Sequence, residues 1–103
     1  MIIHIDTKEE FLEKIKIGNV IVDFYASWCG PCMMLAPVLE ELDNDNLTIL
    51  KVNVDAHDDL AAKYQITSIP LLIFYKDGNI VSSSLGYLNK NQLANKINTY
   101  LNK

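Results

Sequence analysis

The run Val20-Ile21-Val22-Asp23-Phe24-Tyr25-Ala26 is apolar at both odd and even positions, with Asp23 the one exception. Successive side chains of a strand point to opposite faces, so this run needs cover on both sides. That is the pattern of a central strand in a sheet with helices packed on each face.

The rest of the chain supplies the cover. Short β-rich runs alternate with runs of helical period, which predicts an α/β fold. Ile2 to Ile5 reads as a first strand. Thr7 with Glu10 reads as a capping box opening a helix whose Phe11, Leu12 and Ile15 share one face, with Gly18 as its stop. A second helix carries Cys32, Leu35, Leu39 and Leu42 as its inward stripe, and Pro37 inside it removes a backbone hydrogen bond, a structural rather than catalytic feature. Thr48 to Val54 is a third strand, Asp58 to Tyr64 a short helix and Leu71 to Tyr75 a fourth strand. Asp77-Gly78 is a strong hairpin signal, so Asn79 to Leu85 is expected to return antiparallel. Asn89 with Gln92 caps a last helix, with Leu93, Ile97, Tyr100 and Leu101 on one face. The order predicts a central mixed five-stranded sheet flanked by four helices, parallel in its first half through right-handed crossovers. With 103 residues and no repeat, linker or low-complexity segment, residues 1–103 are expected to form one domain that folds alone as a monomer.

Charge narrows the function classes. The net charge is -4 and all nine basic side chains are lysines. No arginine offers the bidentate fork that phosphate recognition favours, and the charges are interspersed, so no nucleic-acid partner is expected. The first residues lack a basic segment followed by a long apolar one, and no apolar run approaches a bilayer's thickness. No membrane association is expected, and the location expected is cytoplasmic.

Trp28-Cys29-Gly30-Pro31-Cys32 lies between the second strand and the second helix, which puts both sulfurs at a helix N-terminus. Unpaired N–H groups and the positive end of the helix dipole there favour thiolate over thiol. Two intervening residues let the side chains meet within a turn, and Pro31 is tolerated where the N–H has no helical acceptor. Two other readings of the pair stand beside a redox one. As a structural staple, a four-residue loop would contribute only about 2 kcal/mol, against about 3 for fifteen residues. As a zinc site it lacks partners, since His4 and His57 are distant in sequence and no second cysteine pair exists, so no metal is expected.

The Trp-Cys-Gly-Pro-Cys motif after a strand containing Asp23, Ala36-Pro37 in the next helix, and Ile69-Pro70 before a β-run resemble the thioredoxin family over the whole chain. The resemblance implies the thioredoxin fold and a protein-disulfide reductase that needs no bound cofactor. It implies disulfide-containing client proteins and, for re-reduction, a flavin-containing thioredoxin reductase drawing on NADPH. Carried onto this sequence, it makes Cys29 the exposed nucleophile, Cys32 the more buried resolving thiol, and Cys29–Cys32 the redox disulfide. Asp23 becomes the buried acid–base group and Lys51 its neighbour. Asp23 at a sheet edge facing solvent is the alternative, against which its apolar neighbours weigh. For Lys51 the alternative is a wet strand face shared with Asn53 and Asp55. The resemblance also implies a cis Ile69–Pro70 bond, with Ile69 pairing to an extended client segment by β-addition. Trp28, Gly30, Pro31, Ile69 and Gly86 would form the apolar docking surface, although Gly86 also reads as a plain turn glycine.

Two residues depart from the pattern. Met33 stands where many members are basic, and Leu71 where a threonine commonly follows the proline. Both are expected near the docking surface, where they bear on client and reductase preference. An oxidase- or isomerase-like role is disfavoured because Pro31, not a histidine, precedes the second cysteine. A binding subunit whose dithiol is incidental is the remaining alternative.

Overall fold

In the computed structural model, which describes residues 1–102, the chain runs β1 (Ile2–His4), α1 (Lys8–Lys14), β2 (Asn19–Tyr25), α2 (Gly30–Leu42), β3 (Thr48–Asn53), α3 (Asp58–Lys63), β4 (Leu71–Lys76), β5 (Asn79–Leu85) and α4 (Lys90–Tyr100). Lys103, the last residue of the expected 1–103 domain, lies outside the described residues. The strands form one sheet in the order β1-β3-β2-β4-β5. β3 is parallel to β1 and β2, whereas β4 is antiparallel to both β2 and β5. β2 is the middle strand, as its two apolar faces require.

Its alternating side chains serve two cores. Val20, Val22 and Phe24 pack with Leu50, Val52, Ile73 and Tyr75 against Phe11 of α1 and Leu60 of α3. Ile21, with Ile49, Leu72 and Phe74, packs against Leu35 and Leu39 of α2 and Leu93 and Ile97 of α4. Each such fully buried side chain contributes roughly 1.5–3 kcal/mol of transfer free energy.

The helix signals resolve with two corrections. Thr7 accepts the Glu10 N–H, but the Glu10 carboxylate turns back one residue further than a capping box requires, onto the N–H of Asp6. At α4 the box closes on both arms between Asn89 and Gln92. The second correction is Tyr100, which is exposed while Leu93, Ile97 and Leu101 are buried. Its position in the 3.6-residue repeat puts it at the rim of the apolar stripe, where a phenol can stay wet. The hairpin has the backbone expected of its sequence, with φ of 48° at Asp77 and 86° at Gly78.

This topology gathers four chain segments at one end of the sheet. β2 and β3 are parallel and finish there, β4 starts there because it runs the other way, and β5 returns there. Residues 26–32, 53–57, 69–70 and 85–87 therefore meet, although they are far apart in sequence.

Candidate active site

The turn after β2 sets the cysteines. Cys29 is the N-cap of α2, with extended backbone, and its Sγ accepts the Cys32 N–H at 3.3 Å. Its own N–H donates to Ala26 and its carbonyl accepts from Met33. One sulfur thus occupies the place where a capping side chain meets the unpaired donors of a first helical turn. Gly30 and Pro31 fill that turn and are exposed, and Pro31 has no N–H to leave unpaired there.

Cys29 and Cys32 are joined by a disulfide, with Cα atoms 5.2 Å apart. Both are buried in this oxidised form, Cys29 at 5% and Cys32 at 1% relative exposure. Cys29, expected to be the exposed member, is thus buried here, in a cluster with Ala26 and Cys32 against which Tyr25, Val54 and Ile69 pack. The Cys29 Sγ lies 3.9 Å from the Ile69 carbonyl oxygen. The Ile69–Pro70 peptide bond is cis, and Pro70 is buried. Gly86, at φ 92°, donates its N–H to the Pro70 carbonyl at 2.8 Å.

Asp23 is completely buried on the face of β2 that α2 and α4 cover. Lys51, its register partner on β3, brings Nζ to 3.4 Å from Oδ2. That is an ion-pair distance without hydrogen-bond alignment, and neither carboxylate oxygen has a hydrogen-bond partner among the described residues. Burial pushes the carboxyl up to about 6, and the lysine charge pulls the other way without cancelling it. The Lys51 side chain is itself only 11% exposed, so its strand face is not wet.

Trp28 is 71% exposed, yet its indole N–H donates to Asp55 Oδ2 at 2.8 Å. Asn53 accepts the backbone N–H of Asp55, forming the turn that presents this carboxylate. Asp55 was not among the site residues expected from sequence, which placed it only on a polar strand face. The available signal was an acidic residue just past the end of a strand parallel to the one that leads into the motif. Tyr25 was also unexpected; it packs against the cluster of Ala26, Cys29 and Cys32, and its ring lies under Lys51. Of the two departures, Met33 is exposed on α2, whereas Leu71 packs against the core beneath α1 and α3, an apolar strand residue taking the covered side. His57 hydrogen-bonds the Ile5 carbonyl through Nε2 at 2.8 Å.

The comparisons with known proteins agree with this geometry. The thioredoxin family model matches residues 2–99. A thioredoxin of Bacillus subtilis is 45% identical over 98 residues, covering 92% of this chain and 94% of that protein. One of Staphylococcus epidermidis is 47% identical over the same span. Among solved structures, a thioredoxin variant from Halobacterium salinarum superposes with a TM-score of 0.87 at 32% identity, covering 96% of this chain and 89% of that one. The Malassezia sympodialis thioredoxin gives 0.86 at 29% identity, covering 96% and 92%.

Proposed function

We infer the division of labour within the site from one premise: the chain belongs to the thioredoxin family of thiol–disulfide oxidoreductases. It is a protein-disulfide reductase whose Cys29–Cys32 pair cycles between dithiol and disulfide. Members of the family exchange thiols with disulfide-bearing clients and with a thioredoxin reductase.

In the proposed mechanism the Cys29 thiolate attacks one sulfur of a client disulfide. A mixed disulfide forms and the other client sulfur leaves as a thiolate that takes up a proton. Asp23 then accepts the Cys32 proton, and the Cys32 sulfur attacks Cys29. The second client thiolate is released, and two electrons have passed from the dithiol to the client. A carboxyl with a pKa of about 6 suits this task, since it is largely ionised at neutral pH yet close enough to a thiol in proton affinity to trade with it. Trp28, Gly30, Pro31, Ile69, Pro70 and Gly86 form the docking surface, with the Ile69 backbone as the edge on which an extended client segment pairs. The observation that carries the reading is the disulfide at the N-cap of α2, with the Cys29 sulfur 3.9 Å from the Ile69 carbonyl oxygen.

We place the protein in the cytoplasm, a reducing compartment in which such a dithiol is kept reduced. It acts there as a monomeric single domain without membrane or nucleic-acid partners. No helix among the described residues is long and apolar enough to cross a membrane. The test is NADPH consumption with a thioredoxin reductase and insulin as client. The wild-type chain is expected to support turnover. Cys29→Ser should abolish it and Cys32→Ser should accumulate a mixed disulfide through Cys29. Turnover by Cys29→Ser would overturn the assignment.

A further inference from the structure

We propose that Tyr25 is a positioning residue for thiol–disulfide exchange, its ring holding the Lys51 ammonium in the buried layer beside Asp23. The consequence for exchange rests on Asp23 being the proton acceptor proposed above. The positioning itself does not.

Three contacts carry the proposal. Lys51 Nζ lies 4.7 Å from the centroid of the Tyr25 ring and 3.4 Å from Asp23 Oδ2. Tyr25 and Asp23 are two residues apart on β2, so their side chains leave the same face, and Lys51 is the register partner of Asp23. The half-buried Tyr25 also packs against the cluster of Ala26, Cys29 and Cys32. One residue thus borders the cluster that holds the redox pair and places its ring over the cation next to the acid.

A lysine ammonium is a strongly hydrated charge on a flexible four-carbon stem. With its side chain 11% exposed, Lys51 has given up most of its water, and its carboxylate partner is not aligned for a hydrogen bond. The electron-rich face of a phenol replaces part of the lost hydration. Without that face, the stem can carry the ammonium out to solvent, as long cationic side chains readily do. Asp23 would then lose the charge that opposes its desolvation. Among the described residues, Lys51 is the charged group that acts on Asp23. β4 turns apolar Leu72 to this face, α4 contributes Leu93, and the α2 cysteines are bonded to each other in the oxidised protein.

The experiment follows the Asp23 carboxyl by carbon-13 NMR across pH in the oxidised protein, where neither cysteine titrates. Tyr25→Phe keeps the ring and should leave the midpoint unchanged. Tyr25→Leu should raise it by about half a pH unit, about a threefold gain in proton affinity. Lys51→Met should raise it at least as far, and Tyr25→Leu added to Lys51→Met should shift it no further, because the tyrosine acts through the lysine. A Tyr25→Leu midpoint equal to wild type overturns the proposal, as does an equally large shift in the Lys51→Met background. These titrations read Tyr25 whether or not Asp23 takes the Cys32 proton. That separate reading stands or falls on the pH profile of exchange by Asp23→Asn.

Discussion

Gly86 donates its N–H to the carbonyl of Pro70 at 2.8 Å, and does so from a backbone φ of 92°. The hydrogen bond closes the β4–β5 ladder immediately beyond the Leu71–Leu85 pair and ties the end of β5 to the segment beside Cys29. A Cβ at Gly86 would meet no atom within 4 Å, so substitution is opposed by backbone conformation and not by crowding. Gly86→Ala is expected to lower stability by about 1–2 kcal/mol in denaturant melts. If the Pro70 segment forms the docking edge, KM for a protein client should rise several-fold with kcat little changed, the pattern of lost uniform binding.

Asp23 makes the fold weaker as pH rises. Its carboxyl moves from 3.8 to about 6 on folding, so between those values the folded state holds a proton that the unfolded chain has released. The stabilising contribution is complete below about pH 4 and is lost as pH climbs through about 6. The span corresponds to roughly 2–3 kcal/mol. Asp23→Asn should lack that slope, so its melts are expected to exceed wild type near pH 7 and to approach it near pH 4. A gap between the two proteins that widens toward acid would contradict the sign.

Reduced protein is expected to be alkylated first at Cys29. Its sulfur caps a helix N-terminus, whereas Cys32 lies in the first turn beneath it with 1% exposure. A helix N-terminus favours the thiolate, and the thiolate is the form that an alkylating agent attacks. Iodoacetamide followed by peptide mapping should find Cys29 modified faster than Cys32 and faster than an unstructured peptide thiol.

The parts of the fold that proved readable in the sequence are those in which a local rule and the global fold demand the same residue. A strand apolar on both sides has to be central, and β2 is. Asp77-Gly78 suits a turn with two positive φ angles, and both are present. Glu10 shows where such rules run out, since Thr7 and Glu10 satisfy the box pattern while the carboxylate finds the neighbouring N–H. At the site, Cys29 to Cys32 is one continuous segment, so its chemistry could be read from spacing. The Asp23–Lys51 pair depends on a parallel register between strands separated by α2, and the cis bond at Ile69–Pro70 was expected from family resemblance alone. Asp55 was missed because its partner, Trp28, reaches it only after β2 and β3 finish side by side.

That last pairing carries a prediction of its own. Trp28, next to Cys29 in the chain, is 71% exposed, and its indole N–H donates to Asp55 Oδ2 at 2.8 Å, a bond that fixes the ring's orientation. The bond is charge-assisted but open to solvent, so removing it should cost little stability, on the order of 1 kcal/mol. Its effect is expected in recognition, because a ring free to rotate presents a less defined surface to a client. Asp55→Ala should therefore change the Trp28 fluorescence and raise KM for a protein client several-fold, while a small aromatic disulfide that needs no docking is reduced at the wild-type rate. Asp55→Asn retains an acceptor oxygen and should fall close to wild type on both readouts. Equal losses in the alanine and asparagine variants would mean that the negative charge, and not the hold on the indole, is what Asp55 contributes.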